Sequence, residues 1–260
     1  MAVNIIKIGG NVINDEVKLK AFLASFAALS GDKILVHGGG KVATKIAKDL
    51  GVETEMVEGR RITNAEMRDV VTMVYGGLIN KKIVASLQSL NCNAIGLTGA
   101  DAGVIRAHKR PVKTIDYGYV GDIDSVNAVF ISSLLSQEIT PVFAPLSFDK
   151  DFGILNTNAD TQASAIATAL SGVHEVNLIY CFEKKGVLLD AEDDDSVIPV
   201  LKPKLYEEYK ASGVIYDGMI PKLDNAFDAV HKGVKKVIIC EANELLSAVE
   251  RGETGTQILM

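Results

Sequence analysis

Cysteine is scarce: Cys92, Cys181 and Cys240 are the three in 260 residues, far apart and in no C-x-x-C arrangement. This excludes a disulfide framework and a cysteine-based zinc site, and fits a reducing, cytoplasmic setting. No uninterrupted apolar run approaches the ~18–20 residues of a membrane span, so no membrane partner is expected. The opening MAVNIIKIGG has no basic stretch and no cleavage site, and no signal peptide is expected. Basic residues are outnumbered, 27 Lys+Arg against 33 Asp+Glu, for a net charge of −6. A general nucleic-acid binder needs a basic footprint that this chain does not have. His37, His108, His174 and His231 show no metal-ligand spacing. The acidic stretch Asp190–Asp195 lacks the glycine and final glutamate of a calcium loop. A P-loop, a G-x-G-x-x-G fingerprint and a Gly-x-Ser-x-Gly elbow are all missing.

What remains is ample material for a core, with 48% hydrophobic and 23% charged residues. The length suits one large domain or two small ones. Short apolar runs alternate with segments of helical period. Strands are expected at Val3–Ile8, Ile34–Val36, Ala94–Leu97, Pro141–Ala144, Val176–Tyr180 and Val237–Cys240. Helices are expected after Asn14-Asp15, at Ala159–Leu170 and at Gly218–Lys232. Thr63-Asn64-Ala65-Glu66 has the spacing of a capping box at a further helix start. The glycine-punctuated Tyr117–Asp122 piece predicts a small hairpin. Alternating β and α with continuous apolar strands implies an α/β fold, its parallel sheet covered on both faces. The expectation is one continuous sheet with two lobes and a ligand at the carboxyl ends of the strands.

Several residues at those strand ends invite chemistry. Gly9-Gly10 and Gly38-Gly39-Gly40 each follow an expected strand. Glycines let the backbone approach an anion, and a helix N-terminus offers free N–H groups; glycines also simply make tight turns. Lys7 stands inside the apolar run Ile5–Ile8, where an unpaired ammonium is costly. Either it snorkels from an edge strand or it emerges at the strand's carboxyl end. Lys222 falls in a first helical turn beside Pro221, where a cation opposes the helix dipole by ~0.3–1 kcal/mol. That placement makes sense with an anion between them; a solvated surface lysine is the alternative. Asp160 would be a helix-cap acid or the partner of two lysines, and Asn156 a neutral hydrogen-bonding group. Arg61 carries the guanidinium fork that suits a carboxylate, although paired arginines are also common on surfaces.

Taken in order, Lys7-Ile8-Gly9-Gly10, His37–Gly40, Gly59–Thr63, Asn156–Asp160 and Gly218–Lys222 resemble the amino acid kinase family. Gly96–Asp101 and Gly118–Gly121 fit the same resemblance, which spans nearly the whole chain. It implies a three-layer α/β/α sandwich with a mainly parallel central sheet, a single domain over 1–260. An N-terminal lobe of about 1–165 would hold an acyl-amino acid and a C-terminal lobe of about 166–260 the nucleotide. The activity implied is ATP-dependent phosphorylation of the side-chain carboxylate of N-acetyl-L-glutamate or a related N-acylglutamate, the second step of arginine biosynthesis. By resemblance, Lys7 and Lys222 stabilise the transferring phosphoryl group and Asp160 organises them. Gly9, Gly10, Gly218 and Met219 meet nucleotide phosphate, while Gly39, Gly40, Arg61 and Asn156 bind the acyl-amino acid. ATP and Mg²⁺ are the implied cofactors, the metal carried by ATP rather than by protein side chains.

Two other readings compete. One is a different kinase of that family, acting on carbamate, aspartate, glutamate or UMP; Arg61, placed for a free α-carboxylate, disfavours carbamate and UMP. The other is a non-catalytic ligand-sensing domain, against which the intact Lys7, Asp160 and Lys222 argue. The stretch Cys181–Gly186 departs from the Thr/Ser-Asp-Val-x-Gly segment frequent in the family. Arginine-inhibited relatives have an extra N-terminal helix that joins dimers into a ring, and this chain starts almost at its first strand. A homodimer insensitive to arginine is therefore expected.

Overall fold

The computed structural model describes residues 2–57, 60–190, 192–215 and 219–260. An eight-stranded sheet forms its centre. From edge to edge the strands are Val200–Leu201, Thr256–Ile258, Lys236–Glu241, Val176–Phe182, Val3–Ile8, Lys33–His37, Thr140–Phe143 and Ala94–Leu97. Only the Lys236–Glu241 and Thr256–Ile258 pair runs antiparallel. All six residues of Val3–Ile8 are buried, which is why that segment reads as one apolar run.

Side-chain alternation along these strands feeds two separate cores. Ile5, Ile34, Val36, Leu178 and Tyr180 pack on one face with the helix Ala159–Ser171. Ile6, Ile8, Leu35, Ile179 and Cys181 pack on the other with the helix Glu16–Ala28. The result is the expected three-layer α/β/α sandwich with a mainly parallel central sheet. The chain lays strands to one side of Val3–Ile8 first, then crosses to pair Val176–Phe182 on its other side. A crevice at the strand carboxyl ends belongs at such a reversal.

The sheet is not the only one. Gly153–Asn156, Leu146–Asp149, Ile105–Lys109 and Gly121–Val126 form a second, four-stranded sheet, which corrects the expectation of one continuous sheet. Its strands are short and rich in charge (IRAHK, GDIDSV), so they carry no continuous apolar signal. The anticipated small hairpin at Tyr117–Asp122 is also different. Ile105–Lys109 and Gly121–Val126 pair antiparallel, and the connection between them docks on Thr63. Tyr119 N–H donates to the Thr63 carbonyl at 2.6 Å. Gly118 takes φ +69° there, and a Cβ on it would stand 2.2 Å from that carbonyl oxygen.

Asn64, not Thr63, caps the following helix, its side chain accepting the Met67 N–H at 2.8 Å. Thr63 is taken up by the Tyr117–Tyr119 connection and by Asn156. The helical course continues through a π-helical stretch, Thr72–Ile79, containing Gly76 and Gly77, to Ser89. At 25 residues, with an 18-residue window of mean hydropathy 1.2, Ala65–Ser89 is long and apolar enough to cross a membrane. The sequence reading did not anticipate this, because charged residues interrupt the run. Met67, Val70, Val71, Val74, Ile79, Ile83 and Leu87 bury one stripe of it in the second core, the pattern of a core helix.

Candidate active site

Lys7 is the last but one residue of the central strand, level with Val36 on one neighbour and Tyr180 on the other. It therefore faces the Ala159–Ser171 helix, as Val36 and Tyr180 do. Asn158 caps that helix by accepting the N–H groups of Asp160 and Thr161. The cap sets Asp160 in the first turn above Lys7, and the two form an ion pair of 2.7 Å. Lys7 is 7% exposed and lies in a central strand, not at an edge.

Lys222 arrives from the first turn of the helix Ile220–His231. Burial pushes its pKa down from the usual lysine value; Lys7 adds to this, while Asp160 and Glu183 oppose it. One carboxylate thus meets two ammonium groups at the end of the strand, Lys7 as a direct ion pair and Lys222 through its field. Phe182, one residue pair beyond Tyr180 on the same face, lies beside both. Its ring centroid is 5.4 Å from Lys7 Nζ and 4.0 Å from Lys222 Nζ. Tyr180 stacks on Phe182 and donates its hydroxyl to the Asp160 carbonyl at 3.3 Å.

Both glycine loops open beside this cluster. Gly9 precedes a single helical turn, Gly10–Ile13, and Gly39 precedes the helix Gly40–Asp49 with no side-chain cap. Gly38 N–H donates back to the Ile8 carbonyl, tying the two loops together. They differ in what makes them glycine. Gly39 has φ +154°, and a Cβ there would stand 2.4 Å from Ile79 Cδ1. At Gly10 the nearest atom to a built Cβ is Asn14 Nδ2 at 3.9 Å, an ordinary contact. The fold demands a glycine at 39; space for an outside group is what distinguishes position 10. Below Gly38, His37 is fully buried, its Nδ1–H donating to the Gly38 carbonyl while Nε2 accepts from Asn80. Burial lowers its pKa to about 4, so it is neutral at pH 7.

A cleft of ≈ 210 Å³ extends from Gly38–Gly40 across to Asn156–Ala159. Arg61, 7% exposed, anchors its floor: Nη2 donates to the Gly40 carbonyl at 2.9 Å and to Thr44 Oγ1 at 2.8 Å. Asn156 ends its strand on the same cleft and donates to Thr63 Oγ1 at 3.0 Å. Gly39, Gly40, Arg61 and Asn156 are therefore gathered in one cavity, and Ala159 leads from it to Asp160. Met219 is the residue before the Ile220–His231 helix. Gly218 and Gly59 lie outside the described residues.

Sequence reasoning passed over four side chains here. Phe182 came to notice only as a departure in a motif. Glu183 accepts a hydrogen bond from Asn11, which in turn accepts one from Lys41, so a polar chain links the two glycine loops to the Val176–Phe182 strand. Arg110 and Asp122 line the cleft from the second sheet, forked together with Arg110 Nε 3.1 Å and 3.2 Å from the two carboxylate oxygens. No local motif marks either residue. The buried thiols Cys181 and Cys240 sit 4.0 Å apart on adjacent strands, unbonded; that contact and burial hold Cys181 well above the usual thiol range. Among the described residues no group of three His, Cys, Asp or Glu side chains is placed to hold a metal.

Known proteins share this architecture. The model of the amino acid kinase family matches residues 2–241. An acetylglutamate kinase of Cytophaga hutchinsonii is 59% identical over 257 residues, covering 98% of this chain and 97% of that one. One from Phocaeicola vulgatus is 56% identical over 254 residues, with 98% and 97% covered. Among solved structures, smu.665 from Streptococcus mutans UA159 is similar with a TM-score of 0.76 at 28% identity, covering 99% of this chain and 98% of that one.

Proposed function

Because the chain belongs to the amino acid kinase family, we propose that it transfers the γ-phosphoryl group of ATP to the side-chain carboxylate of N-acetyl-L-glutamate or a related N-acylglutamate, a step of arginine biosynthesis. The observation that carries this reading is the convergence of Lys7, Lys222 and Asp160 at the end of a cleft floored by Arg61.

A glutamate side chain has a reference pKa near ~4.3 and is already a carboxylate at neutral pH. It needs no general base. Phosphoryl transfer asks mainly for alignment and for positive charge where negative charge builds up. In this reading one carboxylate oxygen attacks the γ-phosphorus, the bond to the β-phosphate oxygen breaks, and ADP leaves with that electron pair. Lys7 and Lys222 offset the charge spread over the transferring group. Asp160 keeps the two ammonium groups from repelling each other apart and adds no net positive charge of its own. The open backbone at Gly9-Gly10 gives phosphate oxygens N–H donors at close approach. Arg61 holds the α-carboxylate at the far end and Asn156 orients the amide, so the side-chain carboxylate points toward Asp160.

Two lysines, one of them ion-paired to a single carboxylate, fit a polyphosphate that arrives with its own metal. Mg²⁺ would ride on the ATP phosphates and add further charge neutralisation. A homodimer in the cytoplasm belongs to the same reading, with Met73 (54% exposed) and Leu78 (40%) on the long helix as apolar contact candidates.

The test is acyl-phosphate trapping. With ATP, Mg²⁺ and hydroxylamine, N-acylglutamate should yield its hydroxamate in step with ADP. Free glutamate, carbamate and UMP should not be phosphorylated. Failure of every N-acylglutamate to react would reject the reading.

A further inference from the structure

The charges that line the cleft do not balance for a substrate with a neutral cap. Its charged side chains are Arg60, Arg61, Arg110 and Asp122, three cations against one anion. Asp122 is ionised: the Arg110 hydrogen bonds hold its carboxyl below the usual range, opposed by burial, and Arg60 adds a smaller pull in the same direction. It neutralises Arg110 and leaves two positive charges in excess. An α-carboxylate on Arg61 accounts for one, and the side-chain carboxylate is at the Lys7 end. A second negative group is missing.

The position of that group is marked by Arg60 and Arg110. Arg60 alternates with Arg61 along a two-residue strand, so while Arg61 is buried under Gly40, Arg60 is turned out along the cleft wall. Arg110 spends Nε and Nη2 on Asp122, but its Nη1 is buried and has no hydrogen-bond partner among the described residues. A guanidinium nitrogen withdrawn from water without an acceptor is costly. Beyond these two arginines lies a second cavity of ≈ 690 Å³, lined also by His108 and Lys113 and sharing Arg60, Arg110 and Asp122 with the first. The second cavity gives space beyond Arg60 and Arg110 for a cap longer than acetyl.

Resting on the kinase reading above, we propose that the site takes N-acyl groups bearing their own carboxylate, such as succinyl, with Arg60 and Nη1 of Arg110 receiving that carboxylate. A methyl cap would leave Nη1 unsatisfied and Arg60 with only Asp122, already forked to Arg110, as counter-charge. A terminal carboxylate supplies both with a charge-assisted acceptor. Selectivity between caps then comes from one buried donor, Arg110 Nη1, and one exposed charge, Arg60, that only the longer cap completes.

The test compares kcat/KM for N-succinyl-, N-glutaryl- and N-acetyl-L-glutamate in the hydroxamate assay. A carboxylate-bearing cap should be preferred over acetyl at least ten-fold. Arg60→Gln, at an exposed side chain, should cut that preference about ten-fold through KM for the longer cap, with kcat little changed. Arg110→Lys should cut it as well, because the fork onto Asp122 and Nη1 is lost together. Acetyl turned over as well as or better than both longer caps overturns the inference while leaving the kinase reading intact. A preference that survives both substitutions also overturns it. No hydroxamate from any of the three substrates removes the kinase reading itself, and this inference with it.

Discussion

Lys222 Nζ stands 4.0 Å from the centroid of the Phe182 ring. Lys7 Nζ is 5.4 Å from the same centroid, so one aromatic ring serves two like-charged groups. The ring is itself fixed by stacking on Tyr180, with centroids 6.0 Å apart and planes 18° from parallel. An ammonium near an aromatic face gains about 0.5–2 kcal/mol, most where water is excluded. Phe182→Leu should therefore lower kcat roughly ten-fold with KM for the acyl substrate little changed, and Phe182→Tyr should restore most of it. Steady-state kinetics on the three proteins measure this. Equal kcat in the Leu variant would reduce the ring to packing.

Lys222→Ala removes charge at the transferring group but little of the core, since the side chain is only partly buried. Loss of one such stabilising group typically costs ~10²–10³ in kcat. The variant should show that loss with a melting temperature close to wild type. A variant that is active but markedly less stable would assign Lys222 a structural role instead.

The two glycine loops should respond differently to a single methyl group. Gly39→Ala places a Cβ against Ile79 at a φ that L side chains rarely adopt, and should destabilise the protein by about 1–3 kcal/mol. Gly10→Ala has room for its methyl and should melt near wild type. Its activity should nonetheless fall, because the methyl occupies the approach to the backbone N–H groups. Calorimetry and the hydroxamate assay together separate the two cases.

His37 makes stability pH-dependent. The unfolded imidazole takes up a proton near pH 6.5, while the buried one resists until about pH 4. Between these values the unfolded chain binds more protons, so stability falls as the pH drops through that window and levels off below it. The full effect is about 3 kcal/mol at most. The stability difference between wild type and His37→Gln should shrink as the pH is lowered from 7 to 4.5, by denaturant titration. A constant difference would mean that the histidine is not held neutral.

Much of this was visible in the residues themselves. A lysine in an apolar run before Gly-Gly could be read as an emerging cation, and Asp160 as a helix-cap acid or the partner of two lysines; that Asn158 is the cap emerges only in the structure. Arg61 and Asn156 were readable as candidates, but not the cleft that joins them, because it depends on how a long connection docks on Thr63. That same contact explains the capping error: Thr63 and Asn64 are both good caps, and Tyr119 and Asn156 decide between them from a distance. The second sheet was hidden because charged, half-exposed strands have no apolar run. Arg110 and Asp122 face the cleft only through that sheet's register. Phe182 stood out as a departure, yet its use became clear only with both lysines beside it.

The central claim is that the substrate's own carboxylate oxygen attacks phosphorus. N-acylglutamate labelled with ¹⁸O in its side-chain carboxylate tests it most directly, with the acyl phosphate cleaved by hydroxylamine and the released phosphate examined by ³¹P NMR. Attack by the carboxylate leaves a labelled oxygen bridging carbon and phosphorus, and hydroxylamine displaces it with the phosphate. The account predicts phosphate carrying one ¹⁸O for each hydroxamate formed. Phosphate without label would mean that water, not the carboxylate, received the phosphoryl group, and would contradict it.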